Sequence, residues 1–273
     1  MAWTERQRAM LARMGVWAPP RSAPGAPPGP AGAGGAAGEP AEADARRPLE
    51  AAPAQAPVAA AAATAVTASM AADRSAVAML EWPALRAAVA ACRACGLCES
   101  RTQTVFGVGH PEADWMIVGE APGEQEDRKG EPFVGPAGQL LDAMLRALGL
   151  SRADSGPPAE RAYIANTLKC RPPRNRNPAP EEMEKCEPFL VRQIELVQPR
   201  IILAMGRFAV QALLRSTDAI GKLRGRVHRY QGVPLVVTYH PAYLLRNLPD
   251  KAKAWEDLCL AASVAERRQG SAA

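Results

Sequence analysis

The stretch "WMIVGEAPGEQEDRKGEPFVGPAGQLL" (residues 115–141) joins a short apolar run to a helical pattern through a turn that contains glycine and proline. A glycine-rich turn after a strand is typical of phosphate binding, but this turn lacks the Gly-Lys-Ser/Thr sequence of a P-loop. It carries four carboxylates instead, which would repel a phosphate: Glu120, Glu124, Glu126 and Asp127. The stretch therefore predicts a strand, a turn and a helix, in which the turn binds something other than phosphate.

Three further apolar runs along the chain resemble this one, and a helical pattern follows each run. Strands are predicted at 114–119, 162–166, 200–206 and 234–240. Helices are predicted at 137–150, 180–197, 207–216 and 251–268, and Pro188 is expected to kink or split the second of them. Short strands that are apolar on both faces and alternate with helices are typical of a parallel sheet covered on both sides. We predict an α/β fold, a three-layer α/β/α sandwich with a central four-stranded, mainly parallel sheet.

Composition divides the 273 residues into segments. Residues 18–80 are mainly Ala, Pro and Gly, which bury too little apolar area to offset the entropy of ordering, so we predict a disordered linker. Residues 1–17 form a short amphipathic peptide by pattern, and residues 82–268 contain the ordered domain, followed by a tail at 269–273. The segment 4–17 is either a frayed terminus or a docking peptide for a protein partner.

Charge and hydropathy limit the class of protein. The chain has 33 Lys and Arg against 28 Asp and Glu, a net charge of +5, which is compatible with nucleic acid and equally with an ordinary solvated surface. No segment has the pattern of a signal peptide or the apolar length of a membrane span. We expect a cytoplasmic, monomeric protein that does not bind membranes.

Polar residues follow the predicted strands where each strand ends. Glu120 and Glu126 follow the first strand, Asn166 ends the second and His240 ends the fourth. Because ligands of open α/β sheets bind at the carboxyl ends of the strands, these side chains are expected to meet in one crevice.

The six cysteines indicate a metal centre rather than disulfides. Cys92, Cys95 and Cys98 are separated by two residues each, and fifteen residues separate Cys170 from Cys186. In a chain without an export signal this spacing predicts a zinc site or a [4Fe–4S] cluster, and spacing alone does not choose between them. Cys98 is an alternative fourth ligand. Cys259 lies among apolar residues of the last predicted helix and is expected to be a buried hydrophobic residue.

Several ordered motifs resemble the family 4 uracil-DNA glycosylases, which are iron–sulfur enzymes. The motifs are "CRACGLC", "RTQTVFGVGHP", "GEAPGEQED", "GEPFVGPAGQLL", "NTLKCRPP" and "HPAYLLR", and the resemblance covers about residues 88–268. It implies a structural [4Fe–4S] cluster in an iron–sulfur cluster loop. The implied ligands are Cys92, Cys95, Cys170 and Cys186, and the family pattern does not require a cysteine at Cys98.

The resemblance also implies how uracil would be bound after it leaves the helical stack. Phe133 would stack on the base, Asn166 would pair with its O4 and N3–H, and His240 would donate a hydrogen bond to its O2. The small residues Gly119 and Ala121 would let the backbone approach the base.

Three further expectations concern the sugar and the DNA. Glu120 and Glu126 are both placed to orient the hydrolytic water or to stabilise the cationic sugar, or Glu126 crowds C5 of the base and excludes thymine. The other two carboxylates of the turn, Glu124 and Asp127, are expected to face solvent. Leu244 is the predicted wedge that fills the gap in the DNA, with Leu245 as the alternative. Arg246 and Arg171 are predicted to contact phosphates, although the basic run around Arg171 also fits a solvated surface.

These expectations define a DNA repair glycosylase that hydrolyses the N-glycosidic bond of uracil-containing DNA, releases uracil and leaves an abasic site. One rival is a related enzyme that traps the sugar with a loop histidine, but residues 167–185 contain no histidine. The other rival is a non-catalytic iron–sulfur DNA-binding module tethered to a repair or replication partner.

Overall fold

The computed structural model describes residues 75–270. The predicted peptide at 1–17 and the linker up to residue 74 lie outside this range. The linker was predicted to reach residue 80, but residues 75–78 form a helical turn. Val77 and Leu80 pack against a core cluster that contains Leu85 and Val89. The ordered domain therefore begins earlier than predicted, because these two apolar residues find a surface to cover.

A five-stranded sheet forms the centre of the domain. Its strands are β1 (Trp115–Gly119), β2 (Ala162–Asn166), β3 (Ile201–Met205), β4 (Val227–Tyr230) and β5 (Val233–Thr238). The order across the sheet is β2-β1-β3-β5-β4, and all neighbours are parallel except β4, which pairs antiparallel with β5. The α/β prediction and the four predicted strands are confirmed.

The strand count was wrong, since the sequence analysis predicted four strands and missed β4. Strand β4 lies at the edge of the sheet, and its residues alternate between exposed and partly buried positions. It therefore lacks the continuous apolar run that marks a strand covered on both faces.

Helices cover both faces of the sheet. They are α1 (Trp82–Ala91), α2 (Leu97–Ser100), α3 (Glu124–Lys129), α4 (Pro136–Ala147), α5 (Pro180–Val197), α6 (Arg207–Leu214), α7 (Ile220–Leu223), α8 (Pro241–Leu244) and α9 (Asp250–Gly270). Helix α5 runs through Pro188 without being split. Helix α9 extends two residues into the predicted tail. Among the helices that the structure describes, none is long and apolar enough to cross a membrane.

The two faces of the sheet bury separate clusters, as a three-layer sandwich requires. On one face Trp115 and Ile117 of β1 pack with residues of α4 and α9. On the other face Met116 and Val118 pack with residues of α5 and α6. Side chains alternate between the two faces along a strand, so one five-residue strand contributes to both cores.

Strand register determines which residues meet at the carboxyl edge. Gly119 at the end of β1 lies opposite Asn166 at the end of β2. Further along the same edge, between β3 and β5, the Gly206 amide donates to the Thr238 carbonyl at 3.0 Å. This brings the end of β3 close to His240, two residues beyond β5. The edge therefore gathers residues that are up to 121 positions apart (Gly119 to His240).

Candidate active site

A cleft of about 720 Å³ opens at the carboxyl edge of the sheet. The predicted site residues that line it are Glu120, Ala121, Glu126, Phe133, Asn166, His240 and Arg246. Gly119 adjoins it through its contact with Asn166. The predicted crevice is therefore present, and the strand ends bring its side chains together.

Phe133 packs directly over Gly119. A Cβ atom added to Gly119 would lie 2.6 Å from Cζ of Phe133 and 2.5 Å from Oδ1 of Asn166, so only glycine fits there. Phe133 itself has φ +55°, a left-handed conformation that is uncommon for a bulky residue. Its carbonyl would lie 1.8 Å from a Cβ on Gly138, so the loop also depends on the glycine in α4. Strain of this kind persists only where the surrounding structure enforces it.

Glu126 helps to hold the loop that carries Phe133 in this conformation. Its Oε1 accepts hydrogen bonds from the backbone amides of Val134 at 3.1 Å and Gly135 at 3.2 Å. Its Oε2 accepts from the Gly123 amide at 3.1 Å. The carboxylate thus joins the start of α3 to the loop that carries Phe133. These hydrogen bonds give Glu126 a positioning role, while its predicted contact with water, sugar or C5 of the base stays a prediction.

Asn166 presents an unpaired acceptor at the cleft. Its side chain is 2 % exposed, and its buried Oδ1 has no hydrogen-bond partner within the described part of the chain. A buried polar atom without a partner costs about 1–3 kcal/mol. A ligand that donates a hydrogen bond to this oxygen would recover that free energy.

His240 is held as one neutral tautomer. Its Nδ1 accepts a hydrogen bond from the Ala242 amide at 3.2 Å, so the ring proton of the neutral form is on Nε2. Burial, helped by the charge of Arg246 and opposed in part by Glu126, lowers the pKa of His240 to about 4. The ring lies 5.5 Å from the Phe133 ring, centroid to centroid, at an interplanar angle of 29°. Near neutral pH His240 is therefore an uncharged Nε2–H donor.

Glu120 is the carboxylate of the turn that remains available for chemistry. Burial raises its pKa, and the nearby Arg207 guanidinium opposes part of that effect. Its backbone carbonyl accepts from the Leu168 amide at 3.1 Å, which fixes the turn against the segment that follows β2. Arg207 also lines the cleft, and the sequence analysis missed it. Its position directly after β3 and Gly206 was the signal that could have identified it.

Asp127 was expected to face solvent, and this prediction was wrong. The side chain is 2 % exposed, and both carboxylate oxygens accept from the Thr102 amide at 3.0 Å. Asp127 therefore holds the segment before β1 against α3.

The predicted wedge was also wrong. Leu244 is fully buried in the cluster that includes residues of α4 and α9, so it has no surface to offer to DNA. Leu245 is 41 % exposed and stands one residue beyond the end of α8. The alternative from the sequence analysis is therefore the accessible leucine.

The two arginines predicted to contact phosphate differ in position. Arg246 lines the cleft, whereas Arg171 is not among the lining residues. Its Nε donates to Asn175 at 2.8 Å, and its Nη2 lies 3.5 Å from a Glu124 oxygen. Arg176, from the same basic run, does line the cleft and is paired with Glu182.

Five of the six cysteines surround one small cavity. The cavity has a volume of about 20 Å³ and is lined by Cys92, Cys95, Cys98, Cys170 and Cys186. Cys259 lies apart from them on α9 and packs against a core cluster, but it is partly buried and not fully buried as predicted. We call the five cysteines around the cavity the thiol site.

N–H donors contact the thiol site from two segments. The Arg101 Nη1 donates to Sγ of Cys170 at 2.9 Å, and its Nη2 donates to the Cys92 carbonyl at 2.9 Å. The Lys169 amide donates to Sγ of Cys186 at 3.3 Å, while burial raises the pKa of that thiol to about 12. Over residues 75–270, no three Cys, His, Asp or Glu side chains are grouped so as to hold a single metal ion.

Comparison with known proteins identifies the family. The model of the uracil DNA glycosylase superfamily matches residues 106–259. The type-4 uracil-DNA glycosylase of Archaeoglobus fulgidus is 46% identical over 165 residues, which cover 58% of this chain and 79% of that protein. The type-4 enzyme of Sulfurisphaera tokodaii is 42% identical over 178 residues, which cover 62% of this chain and 77% of that protein.

A type-5 uracil-DNA glycosylase of Pyrobaculum aerophilum is more distant. It is 36% identical over 157 residues, which cover 51% of this chain and 69% of that protein. The chain belongs to the uracil-DNA glycosylase superfamily and, by its higher identity over more of each relative, to its type-4 branch.

Proposed function

We propose that this protein removes uracil from DNA by hydrolysing the N-glycosidic bond, which releases uracil and leaves an abasic site. The observation that carries the proposal is the unpaired Oδ1 of Asn166, buried at the cleft between the Phe133 ring and the acidic turn. A site of this kind requires a ligand with a planar face and a hydrogen-bond donor.

Uracil meets both requirements. Its N3–H donates to Oδ1 of Asn166, and its O4 accepts from the amide nitrogen of the same side chain. Cytosine has an acceptor at N3 and a donor at N4, so it would face Asn166 with the wrong groups and leave buried polar atoms unpaired. Stacking on Phe133 contributes about 1–3 kcal/mol without discriminating between bases.

His240 acts on the departing base. As the glycosidic bond breaks, negative charge develops on uracil O2, and the Nε2–H of the neutral imidazole donates to that oxygen. A preorganised donor of this type is worth about 3–4 kcal/mol in the transition state. Since the ring is uncharged, it stabilises the uracil anion through a hydrogen bond and does not protonate it.

Glu120 acts on the sugar side of the bond. Its carboxylate accepts a proton from the attacking water, and its negative charge stabilises the sugar as that becomes cationic. Arg207 supports this role because its charge favours the ionised carboxylate despite burial.

DNA contacts come from the rim of the cleft. We assign the wedge to Leu245, since it is the exposed leucine next to the helix that begins beside His240. Arg246 and Arg207, which line the cleft, are placed to bind the phosphates that flank the flipped nucleotide.

A [4Fe–4S] cluster is the proposed occupant of the thiol site, held by Cys92, Cys95, Cys170 and Cys186. The donor set fits, because these thiols come from two chain segments and converge on one cavity, where the Arg101 guanidinium and the Lys169 backbone amide donate hydrogen bonds to sulfur. The four thiolates of such a cluster bind four different irons, so they need not meet around one ion as zinc ligands must. When bound, the cluster supplies a structural link between the two segments.

Release of free uracil from a labelled oligonucleotide tests the function. The wild type is expected to release uracil, and Asn166→Ala is expected to lower the single-turnover rate at least about 100-fold with an unchanged fold. Lys253→Met, at an exposed lysine on α9, is the control and should leave the rate unchanged. Binding without release would favour the non-catalytic module, and an adduct that survives denaturation would favour the trapping enzyme.

The remaining expectations stay predictions. They are a protein partner for residues 4–17, a monomeric state and a cytoplasmic location.

A further inference from the structure

Lys169 is buried next to the residue that reads the base, and the mechanism above does not use it. Its side chain is 1 % exposed. The ammonium Nζ donates to the backbone carbonyl of Asn166 at 2.8 Å and to Oε1 of Gln193 at 2.6 Å. Both acceptors are neutral, and besides these two hydrogen bonds the negative charge of the Cys186 and Cys170 thiolates also favours the charged form of the lysine.

Gln193 gives this contact a rigid anchor. It is fully buried on α5, and its Nε2 donates to the Phe106 carbonyl at 2.9 Å and to the Tyr163 hydroxyl at 3.1 Å. Tyr163 belongs to β2, the strand that ends at Asn166. The ammonium is therefore held by a side chain that is itself fixed to two other segments.

The backbone of Lys169 is fixed as well. Its amide donates to Sγ of Cys186, and its carbonyl accepts from the Val105 amide at 2.8 Å. Residues 166–169 thus form a short arch that runs from the end of β2 to the thiol site. The Lys169 side chain folds back across this arch onto its first residue.

A lysine is a costly choice for filling space in a core. Removing an ammonium from water is unfavourable, and an apolar side chain of similar volume is often at least as stable. Unlike an apolar side chain, the lysine donates hydrogen bonds, and these fix the geometry of the Asn166 carbonyl.

We propose that Lys169 is a positioning residue for base recognition, which fixes the Asn166 backbone so that its side-chain amide faces N3 and O4 of uracil. The inference rests on the proposed function. It requires Lys169 to act on the base only through Asn166.

A double-mutant cycle tests this requirement. DNA that contains 2′-fluoro-2′-deoxyuridine, which resists cleavage, is compared with the same DNA containing 2′-fluoro-2′-deoxycytidine, whose N3 and N4 present the opposite hydrogen-bonding groups to Asn166, and the ratio of the two Kd values measures recognition of uracil. Lys169→Met is expected to reduce this preference about tenfold, and to have no further effect in the Asn166→Ala background. Lys253→Met should match the wild type.

Other outcomes are equally decisive. An equal loss in both backgrounds, or a full preference for uracil in Lys169→Met, would overturn the proposal. So would a loss of bound iron in Lys169→Met, because Lys169 would then act through the thiol site. If Lys169→Met does not fold, Gln193→Met is used instead, because it removes the anchor of the ammonium. Gln193→Met must then lower the preference for uracil when Asn166 is present and have no further effect in the Asn166→Ala background.

Failure of the proposed function would be distinguishable from failure of this inference. A wild-type protein that neither prefers the uracil analogue nor releases uracil would overturn the function itself. A wild type that does both, together with an unaffected Lys169→Met, would overturn only the role of Lys169.

Discussion

Gly119 has no room for a side chain, and this makes it the most sensitive single position at the cleft. In Gly119→Ala the added methyl would overlap both the Phe133 ring and Oδ1 of Asn166. One of them must move by an ångström or so, which at an active site costs about 100-fold in rate. We expect single-turnover excision to fall by that factor and the melting temperature to fall by a few degrees, because the buried site is overpacked by about 1–3 kcal/mol. An unchanged rate would show that Phe133 and Asn166 are not held as the structure places them.

The protonation of His240 gives a second prediction at the scale of a residue. Its folded pKa of about 4 lies below the ordinary value of 6.5, so the unfolded chain takes up this proton first as the pH falls. The contribution of His240 to stability is complete above pH 6.5 and is lost between pH 6.5 and 4.

Nitrogen-15 NMR of labelled histidine measures this directly, since the chain has three histidines. We expect His240 to be neutral and protonated on Nε2 at pH 7, with a titration midpoint near 4. His240→Gln, which removes the signal, provides the assignment. A charged ring at pH 7 would contradict the hydrogen-bond role proposed for it.

Sequence predicted which side chains meet at the cleft better than it predicted their environment. Phe133, Asn166 and His240 belong to motifs, so the resemblance identified them. The positioning role of Glu126 depends on backbone amides at 123, 134 and 135, and the folded loop alone brings these together. Asp127 appeared solvent-facing because a charged residue in an acidic turn is usually exposed, whereas here a backbone amide satisfies it.

Among the secondary-structure elements, the end of α8 places two neighbouring leucines in different environments, one buried and one exposed. Leu244→Ala should lower the free energy of unfolding by about 2–5 kcal/mol, because the side chain is fully buried in the core. Leu245→Ala should leave stability unchanged and lower excision from duplex DNA about tenfold, with less effect on single-stranded DNA. Denaturant unfolding and excision assays on both variants check the pair. The reverse assignment of effects would restore Leu244 as the wedge.

Sequence patterns predicted some of these elements and could not predict others. The four strands covered on both faces were predicted almost to the residue, because continuous apolar runs identify them. Strand β4 has one exposed face and no such run, and its pairing depends on β5. In "AYLLR" both leucines fit a wedge equally well, and only the packing of α8 against α4 separates them.

At the scale of the whole molecule, the thiol site joins segments that the sheet alone does not. Cys92 and Cys95 precede β1, whereas Cys170 follows β2 and Cys186 lies in α5. The arch at 166–169 runs from the thiol site to Asn166. A structural change at the thiol site is therefore expected to reach Asn166 through only a few residues. Spacing predicted a metal centre and left its ligands open, and the fold does not separate the candidates, because Cys98 lines the same cavity as the other four cysteines.

Cysteine variants resolve the ligand set. Cys170→Ser and Cys186→Ser are expected to lose most of the iron and the visible absorption of the anaerobically purified protein, and to melt at a lower temperature, since the link between the segments is lost. Cys98→Ser and Cys259→Ser are the matched controls, one inside the thiol site and one outside it, and both should keep four irons per chain. Iron loss in Cys98→Ser would make it a ligand, and zinc in place of iron in the wild type would contradict the cluster.

Because the arch ties the thiol site to Asn166, loss of iron should also weaken the preference for the uracil analogue. Lys169→Met, in contrast, should weaken that preference with the iron retained.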